Sequence, residues 1–294
     1  MTNNKYLNLY IDFLSKSADV KKPLKIVFDC SNGTTGLVLK KFKTPNSKFY
    51  ILNSNPNGRF PAHGPNPLLA GAMGQLQRAV LKHKADLGVA FDADGDRAFF
   101  TDNKGRIVPS FTIAELLFLE NSNPFVADLI VFKALEKLGI TKEHKIFPSR
   151  VGTYFVKDLM RRKKATIVAE FSGHYYFKDF FYSDSGIITA IKVMNAVSQL
   201  SYSLADFWDL GAKGFSLVNF DVRVKNQSRF LRKITEKYRK KAVEISKLDG
   251  ITFDFGDSFL IVRPSNTEPL LRFFVGGKDG ESVKKTKKEI KALI

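Results

Sequence analysis

Three carboxylates lie at alternate positions within five residues, at Asp92, Asp94 and Asp96, and Arg97 follows them directly. Alternating side chains of a loop can turn toward one side, where carboxylate oxygens bind a hard divalent cation. Gly95 lets the backbone bend between the ligands. An arginine beside such a cation offers a charge to a phosphate group. The spacing therefore predicts a metal site suited to phosphoryl chemistry, and a solvated Asp-rich turn is the alternative.

The elements before this loop predict how it is held. Leu24–Asp29, Phe49–Leu52 and Leu87–Phe91 have the apolar character of strands, and Leu68–His83 has helical periodicity. A β-α-β-α-β order is typical of a parallel or mixed sheet covered by helices. Such sheets bind ligands at the carboxyl ends of their strands. The three carboxylates follow the third strand, so we expect them at that edge.

The remainder of the chain predicts two further structural units. Helices are expected at Val126–Leu138 and Ile187–Leu200, within a second α/β unit. A strand at Phe215–Val224, a long basic helix at Arg229–Lys247, three short strands and a closing helix at Glu281–Leu293 then predict an α+β unit with a mostly antiparallel sheet. We therefore expect three domains: an α/β domain at 1–108, an α/β domain at 109–210 and a C-terminal α+β domain at 211–294.

A second group of polar residues surrounds a glycine at Glu170, Ser172, Gly173 and His174. A carboxylate and a hydroxyl two positions apart on an extended segment can bind vicinal hydroxyls of a sugar. A histidine is the usual residue for moving a proton near neutral pH. The segment therefore predicts sugar binding with an acid/base group, and a buried strand with a capping histidine is the alternative.

A third group has the composition of a phosphate-binding turn, with Arg263, Ser265, Asn266 and Thr267 in sequence. Arginine supplies a forked cation, the hydroxyls donate hydrogen bonds, and a turn exposes backbone N–H groups. An ordinary turn between two strands is the alternative.

Composition limits the classes of partner. The net charge of +18 is compatible with nucleic acid, an anionic membrane surface or anionic small molecules. The lysines are spread in short clusters, and zinc-finger spacing and RNA-binding signatures are absent, so nucleic-acid binding stays a distant alternative. Cys30 is the one cysteine, which excludes an internal disulfide. Apolar runs are too short to span a bilayer and the first residues lack a signal-peptide core, so we expect a cytoplasmic protein without a membrane partner.

Taken together, the three groups resemble the motifs of the α-D-phosphohexomutase family, which includes phosphoglucomutases, phosphomannomutases and phosphoglucosamine mutases. The resemblance runs from about residue 6 to the C-terminus and corresponds to the family's second to fourth domains. Ala169 stands where the family's sugar loop begins with glycine. The resemblance implies that Mg²⁺ is held by Asp92, Asp94 and Asp96, that Arg97 and His174 are catalytic, and that a hexose phosphate is bound by Glu170, Ser172, Gly173, Arg263, Ser265, Asn266 and Thr267.

The chain also departs from the family pattern. The family's first domain carries a serine, in an S-H-N-P loop, that is phosphorylated, and these 294 residues contain no such loop. Thr153 replaces a histidine that other members often have after Val151-Gly152, and a basic residue expected in the third domain is absent. We therefore expect a chain that is incomplete alone. Three hypotheses remain: a split enzyme whose phosphoserine domain is a separate polypeptide, a sugar-phosphate-binding pseudoenzyme, or a truncated gene product.

Overall fold

The structure is a computed structural model that describes residues 4–212, 214–265 and 268–293. A short 3-10 helix at Ile140–Lys142 follows the fifth α-helix. The other elements, in chain order, are α1 (Asn4–Ser17), β1 (Leu24–Asp29), α2 (Gly36–Leu39), β2 (Ser47–Leu52), α3 (Gly74–His83), β3 (Leu87–Phe91), β4 (Ala98–Asp102), β5 (Ile107–Val108), α4 (Ser110–Leu119), β6 (Phe125–Asp128), α5 (Leu129–Leu138), β7 (Ile146–Ser149), α6 (Thr153–Lys163), β8 (Ile167–Ala169), β9 (Tyr175–Phe177), β10 (Ser183–Asp184), α7 (Gly186–Gln199), α8 (Leu204–Gly211), β11 (Ser216–Arg223), α9 (Gln227–Tyr238), β12 (Glu244–Ser246), β13 (Ile251–Asp254), β14 (Ser258–Pro264), β15 (Leu270–Gly277) and α10 (Gly280–Lys291).

The chain separates into two compact units, which are described one at a time. Unit 1 contains the described residues up to Ser122 together with Ala169–Gly211. Unit 2 contains Asn123–Val168 and the described residues from Ala212 onward. Among the described helices, none combines the length and the apolarity needed to cross a lipid bilayer.

The first sheet, in unit 1, has the strand order β2-β1-β3-β4-β5. β1 is parallel to both β2 and β3, whereas β4 and β5 continue the sheet in antiparallel fashion. All five residues of β3 are buried, as expected for a strand covered on both faces. Asp92 is the next residue after β3. The segment 92–97, which we call the metal loop after its predicted role, therefore lies at the carboxyl end of a central strand.

Helix α3 covers this sheet, but it is shorter than the sequence predicts. Leu76 and Val80 of α3 pack with Val27 of β1 in a buried cluster. The helix begins at Gly74 rather than at Leu68, so the predicted start was wrong. Leu68 and Leu69 are each more than half exposed, which means that their spacing matched a helical period without facing the core.

Helix α7, also in unit 1, contacts the sheet that carries the metal loop. β9 and β10 form a short antiparallel hairpin, and α7 follows it at once. The side chain of Ser185 accepts a hydrogen bond from the Ile188 N–H and so caps the first turn of α7. α7 packs against α1 and α4 and also contacts β3 and β4. The N-terminus of a long buried helix is thereby placed beside the metal loop.

In unit 2, β6 and β7 are parallel, with α5 and α6 following them. The predicted helix at Val126–Leu138 was wrong over its first three residues, because Phe125–Asp128 is a fully buried strand. Asp128 ends that strand and caps α5 by accepting a hydrogen bond from Val131 N–H at 2.8 Å. A short apolar strand that runs directly into an apolar helix has no break in its hydrophobic pattern, so periodicity alone did not separate them.

The C-terminal sheet is wholly antiparallel, in the order β11-β15-β14-β13-β12. α9 and α10 cover it, and Phe230 and Ile234 of α9 share a core with Phe253 and Phe273 of the sheet. The predicted helix at Arg229–Lys247 ends early, at Tyr238, because Glu244–Ser246 forms β12 and pairs with β13. Two mixed α/β sheets followed by an antiparallel α+β domain confirm the predicted fold class.

A buried ion cluster stabilises the packing within unit 2. Lys133 and Lys137 of α5 both reach Asp254 at the end of β13, with nitrogen–oxygen distances of 2.9 and 2.7 Å. All three side chains are less than a tenth exposed. Because buried charges are tolerated only when they are paired, this cluster fixes α5 against the C-terminal sheet.

Candidate functional site

The metal loop is held in shape by the first of its carboxylates. Asp92 is almost fully buried, and its Oδ1 accepts hydrogen bonds from the backbone N–H groups of Gly95 at 3.1 Å and Arg97 at 3.2 Å. Its other oxygen binds Nε of the Arg97 side chain at 2.5 Å. Asp92 therefore both closes the loop and fixes the guanidinium of Arg97 beside it.

The three carboxylates converge. Asp92, Asp94 and Asp96 each offer an oxygen atom within 4.8 Å of the others. Oδ1 of Asp96 is buried and has no hydrogen-bond donor among the described residues. Burial, with the charges of Asp92 and Asp94 adding to it, raises the pKa of Asp96 to about 6, although His174 opposes the rise. Three crowded carboxylate oxygens, one of them lacking a donor, fit a hard divalent cation such as Mg²⁺.

The backbone of the metal loop is supported by the segment after β1. The N–H of Thr34 donates to the carbonyl of Ala93 at 2.9 Å, and the Thr34 hydroxyl donates to the carbonyl of Asp94 at 3.1 Å. A cavity of about 750 Å³ opens in unit 1 beside these residues and Asp96. The loop is thus positioned by its neighbours and still faces open space.

The predicted sugar-binding segment 170–174, which we call the sugar loop, lies directly against the metal loop. The backbones of Arg97 and His174 form an isolated antiparallel β-bridge, and the Ala98 N–H donates to the carbonyl of Gly173 at 3.0 Å. Gly173 has a φ of +90°. A Cβ atom there would lie 2.7 Å from a ring carbon of Phe99, so the close approach of the two loops requires glycine.

Glu170 and Ser172, the predicted sugar-binding pair, differ in exposure. Glu170 is 2% exposed, and its Oε2 accepts a hydrogen bond from the Tyr176 hydroxyl at 3.3 Å. Ser172 is partly exposed. A short turn closes the loop, since the Gly173 N–H donates to the Glu170 carbonyl. Both side chains therefore belong to the same unit as the carboxylate cluster.

His174 contacts two carboxylates. Its Nδ1 lies 2.8 Å from Oδ2 of Asp184 and 3.8 Å from Oδ2 of Asp96. Burial acts to lower the pKa of His174, but the hydrogen bond with Asp184 and the charges of Asp96 and Glu170 outweigh it, so the pKa lies above its ordinary value. An imidazole held by one carboxylate beside the metal loop is placed to exchange a proton there.

Sequence reasoning missed Asp184. It lies in β10, immediately before the Ser185 cap of α7. A polar stretch ahead of a strongly apolar helix is a helix-start signal, and it could have drawn attention to this position. Asp184 lies ten residues after His174 in the chain, and the fold brings the two side chains together.

The start of α7 also contacts the metal loop. The N–H of Gly186 donates to the carbonyl of Gly95 at 2.9 Å. A Cβ atom on Gly186 would lie 2.6 Å from the carbonyl oxygen of Arg97 and 2.9 Å from that of Gly95. A Cβ atom is essentially never found this close to a non-bonded oxygen, so a larger residue would displace the loop.

The third predicted group lies in unit 2. Nη1 of Arg263 is 3.1 Å from Oδ2 of Asp249. Arg263 and Ser265 line a cavity of about 450 Å³ that Arg272 also lines. Arg263 and Arg272 are direct cross-strand partners in β14 and β15. Asn266 and Thr267, the other two predicted members, lie outside the described residues.

Sequence reasoning also missed Arg272 as a site residue. It lies within a segment predicted as a strand from its apolar residues, Leu270–Phe274. The cross-strand pairing with Arg263 places both guanidinium-bearing side chains on the same face of the sheet. Arg272 is identified as a candidate site residue by the pairing register of β14 and β15, which the sequence alone did not supply.

Comparison with known proteins matches three consecutive regions of the chain. Sequence profiles of the phosphoglucomutase/phosphomannomutase family match at residues 6–105 for its alpha/beta/alpha domain II, 111–212 for its alpha/beta/alpha domain III and 217–293 for its C-terminal domain. The chain belongs to the phosphoglucomutase/phosphomannomutase family. The three matched regions contain, in order, the predicted metal-binding, sugar-binding and phosphate-binding motifs.

Individual relatives agree with the family assignment. The phosphomannomutase of Methanocaldococcus jannaschii is 34% identical over 282 residues, which cover 92% of this chain and 61% of that protein. The chain thus spans less than two thirds of the length of that relative.

Solved structures show the same fold. A phosphoglucomutase/phosphomannomutase family protein of Burkholderia thailandensis superposes with a TM-score of 0.81 at 22% identity, over 97% of this chain and 63% of that one. The N-acetylphosphoglucosamine mutase of Aspergillus fumigatus, solved in complex with GlcNAc-6P and magnesium, superposes with a TM-score of 0.63 at 13% identity, over 97% and 63% of the two chains.

Proposed function

We propose that this chain provides the Mg²⁺ site, the sugar-hydroxyl site and the phosphate site of a phosphohexomutase that interconverts hexose 1-phosphate and hexose 6-phosphate. The observation that carries the proposal is the contact between the two loops of unit 1. His174, held by Asp184, lies 3.8 Å from Asp96, itself a member of the carboxylate cluster. An acid/base group beside a metal site, in a member of this family, supports phosphoryl transfer to a sugar hydroxyl.

The roles follow from the contacts. Asp92, Asp94 and Asp96 would hold Mg²⁺, which supplies positive charge for a phosphoryl group in transfer. Arg97, held by Asp92, presents a second positive charge at the same place. His174 has Nδ1 directed to Asp184, so Nε2 is the ring atom that exchanges a proton with the sugar hydroxyl.

Glu170 and Ser172 are proposed to bind sugar hydroxyls, with Gly173 giving the loop its shape. The phosphate that does not react is proposed to bind Arg263 and Ser265, together with Asn266, Thr267 and Arg272. Arginine and hydroxyl donors are the usual ligands of a phosphate monoester.

The transferred phosphoryl group needs a carrier, because a mutase must store it while the sugar turns around. We propose that the carrier is a phosphoserine on a polypeptide segment outside these 294 residues. The sugar hydroxyl oxygen forms a bond to phosphorus as the bond between phosphorus and the serine oxygen breaks. The hydroxyl proton passes to His174, and the serine oxygen leaves with the bonding electron pair and takes up a proton from solvent. Return of the other phosphate to the serine then completes the exchange.

A pseudoenzyme is the second candidate function. Thr153 stands where many members have a histidine, which removes one acid/base candidate. In that case the chain would keep Mg²⁺ and sugar-phosphate binding and would fail to turn over with any phosphoserine donor.

Calorimetry tests the binding part of the proposal. The wild-type chain should bind Mg²⁺, and should bind glucose 6-phosphate in its presence. Asp94→Asn should weaken Mg²⁺ binding without changing thermal stability by much, since Asp94 is exposed. Asp12→Asn is the matched control, because it removes the same charge from an exposed position of unit 1 on α1. Equal Mg²⁺ titrations for wild type and Asp94→Asn would overturn the metal assignment.

A further inference from the structure

One cavity in unit 2 brings together more arginines than the sequence motif contains. Arg150 lines the same cavity of about 450 Å³ as Arg263, Arg272 and Ser265. Arg150 comes from the turn between β7 and α6, far along the chain from the other two arginines. We call this the arginine cavity.

The arginine cavity has an excess of positive charge. Arg263 and Arg272 face each other across β14 and β15, an arrangement that destabilises a sheet when the charges are alike. Nε of Arg272 is buried and has no hydrogen-bond partner among the described residues. Asp249 is the one acid that lines the cavity in the described part of the chain. Three arginines and one aspartate give the lining of the cavity a net charge of about +2, and Asp221, which lies opposite Arg272 in the sheet, is not part of that lining.

Arg150 is exposed, but its side chain is stacked on an aromatic ring. Its guanidinium carbon lies 4.3 Å from the centre of the Phe155 ring, in the range of a cation–π contact. The neighbouring Val151 N–H donates to Oδ2 of Asp249 at 3.2 Å, the same oxygen that binds Arg263 at 3.1 Å. Asp249 therefore connects the turn that carries Arg150 to the strand that carries Arg263.

We propose that Arg150 is a third phosphate-binding residue of the arginine cavity, acting on the same phosphate group as Arg263 and Arg272. This proposal rests on the proposed function and adds a residue that lies outside the three sequence motifs. A phosphate monoester carries about −1.5 to −2 charges at pH 7, which matches the net positive charge of the cavity lining. The stacked guanidinium also brings the planar donor geometry that suits phosphate oxygens.

Calorimetry with glucose 6-phosphate in the presence of Mg²⁺ tests the assignment. Arg150→Met should weaken binding about tenfold, the cost of losing a charge-assisted contact. Arg150→Lys should recover part of the loss, because it keeps the charge without the fork. Arg232→Met is the matched control, since Arg232 is exposed on α9 of the same unit and pairs only weakly with Glu236 at 4.0 Å.

Salt dependence separates a binding role from a structural one. A residue that pairs with the phosphate contributes to the loss of affinity as salt rises, so the slope should be shallower for Arg150→Met than for wild type and Arg150→Lys. The role of Arg150 would be overturned if Arg150→Met bound glucose 6-phosphate with the wild-type affinity and the wild-type salt dependence. If Arg263→Ala were at the same time weakened at least tenfold, the proposed function would stay intact. No binding of glucose 6-phosphate to the folded wild-type chain would contradict both.

Discussion

The substitution Gly186→Ala tests whether the start of α7 holds the metal loop in place. The added methyl carbon would lie 2.6 Å from the carbonyl oxygen of Arg97 and 2.9 Å from that of Gly95. Both oxygens belong to the backbone of the loop, so no side chain can rotate away. The loop must shift by several tenths of an ångström, and the hydrogen bond from Gly186 to Gly95 must lengthen. Forcing an extra methyl group into a packed site costs about 1–3 kcal/mol.

Two measurements follow from this displacement. Thermal unfolding should occur about 2–4 °C lower for each kcal/mol lost, for a domain of this size. Mg²⁺ affinity should fall by about tenfold, or about 1.4 kcal/mol, because the carboxylates move although none is replaced. Gly58→Ala is the matched control: a Cβ there meets no atom within 4 Å and the backbone does not have a positive φ. Identical melting and Mg²⁺ binding for Gly186→Ala and Gly58→Ala would refute the proposed packing.

Three further predictions concern charge. Burial raises the pKa of Asp96 to about 6, so protons compete with Mg²⁺ around and below that pH. Mg²⁺ affinity should rise about fivefold from pH 5 to 6 and level off above pH 7, about tenfold in all, and a pH-independent titration would contradict this. Asp184→Asn should lower the pKa of His174, which Asp184 helps to raise, and an unchanged NMR titration of His174 would argue against their contact. Asp254→Asn should destabilise the chain by up to ~3–5 kcal/mol in denaturant unfolding. The loss should exceed that of Lys137→Met, because Asp254→Asn leaves two buried lysines with only Glu136, which is 32% exposed, as a counter-charge, whereas Lys137→Met leaves Lys133 paired with both Asp254 and Glu136. The reverse order would be inconsistent with the cluster.

Much of the fold was accessible from sequence because local signals and burial agree there. β1 and β3 have the predicted bounds, Leu24–Asp29 and Leu87–Phe91, since each is a short apolar run ended by a polar residue. The boundary between β6 and α5 was predicted wrongly because one hydrophobic pattern runs through both elements. Phe125–Phe132 is apolar apart from Asp128, and only the capping role of Asp128 separates β6 from α5.

The site divides in the same way. The three motifs are contiguous in sequence, so residue types and spacing predicted their members. Asp184, Arg272 and Arg150 were not predicted, because each reaches its site through a hairpin, a strand register or a turn from elsewhere in the chain. A single sequence contains no direct signal for such contacts.

Complementation tests the central claim most directly. The purified chain, with Mg²⁺, glucose 1-phosphate and a trace of glucose 1,6-bisphosphate, is assayed for glucose 6-phosphate with and without a phosphorylated first-domain polypeptide from a full-length relative. We expect turnover only when that polypeptide is present, and none when the chain carries Asp94→Asn. Robust turnover by the chain alone would contradict the claim that the phosphoserine comes from outside these residues, and failure of every first domain to restore activity would contradict the claim that the chain is part of a mutase.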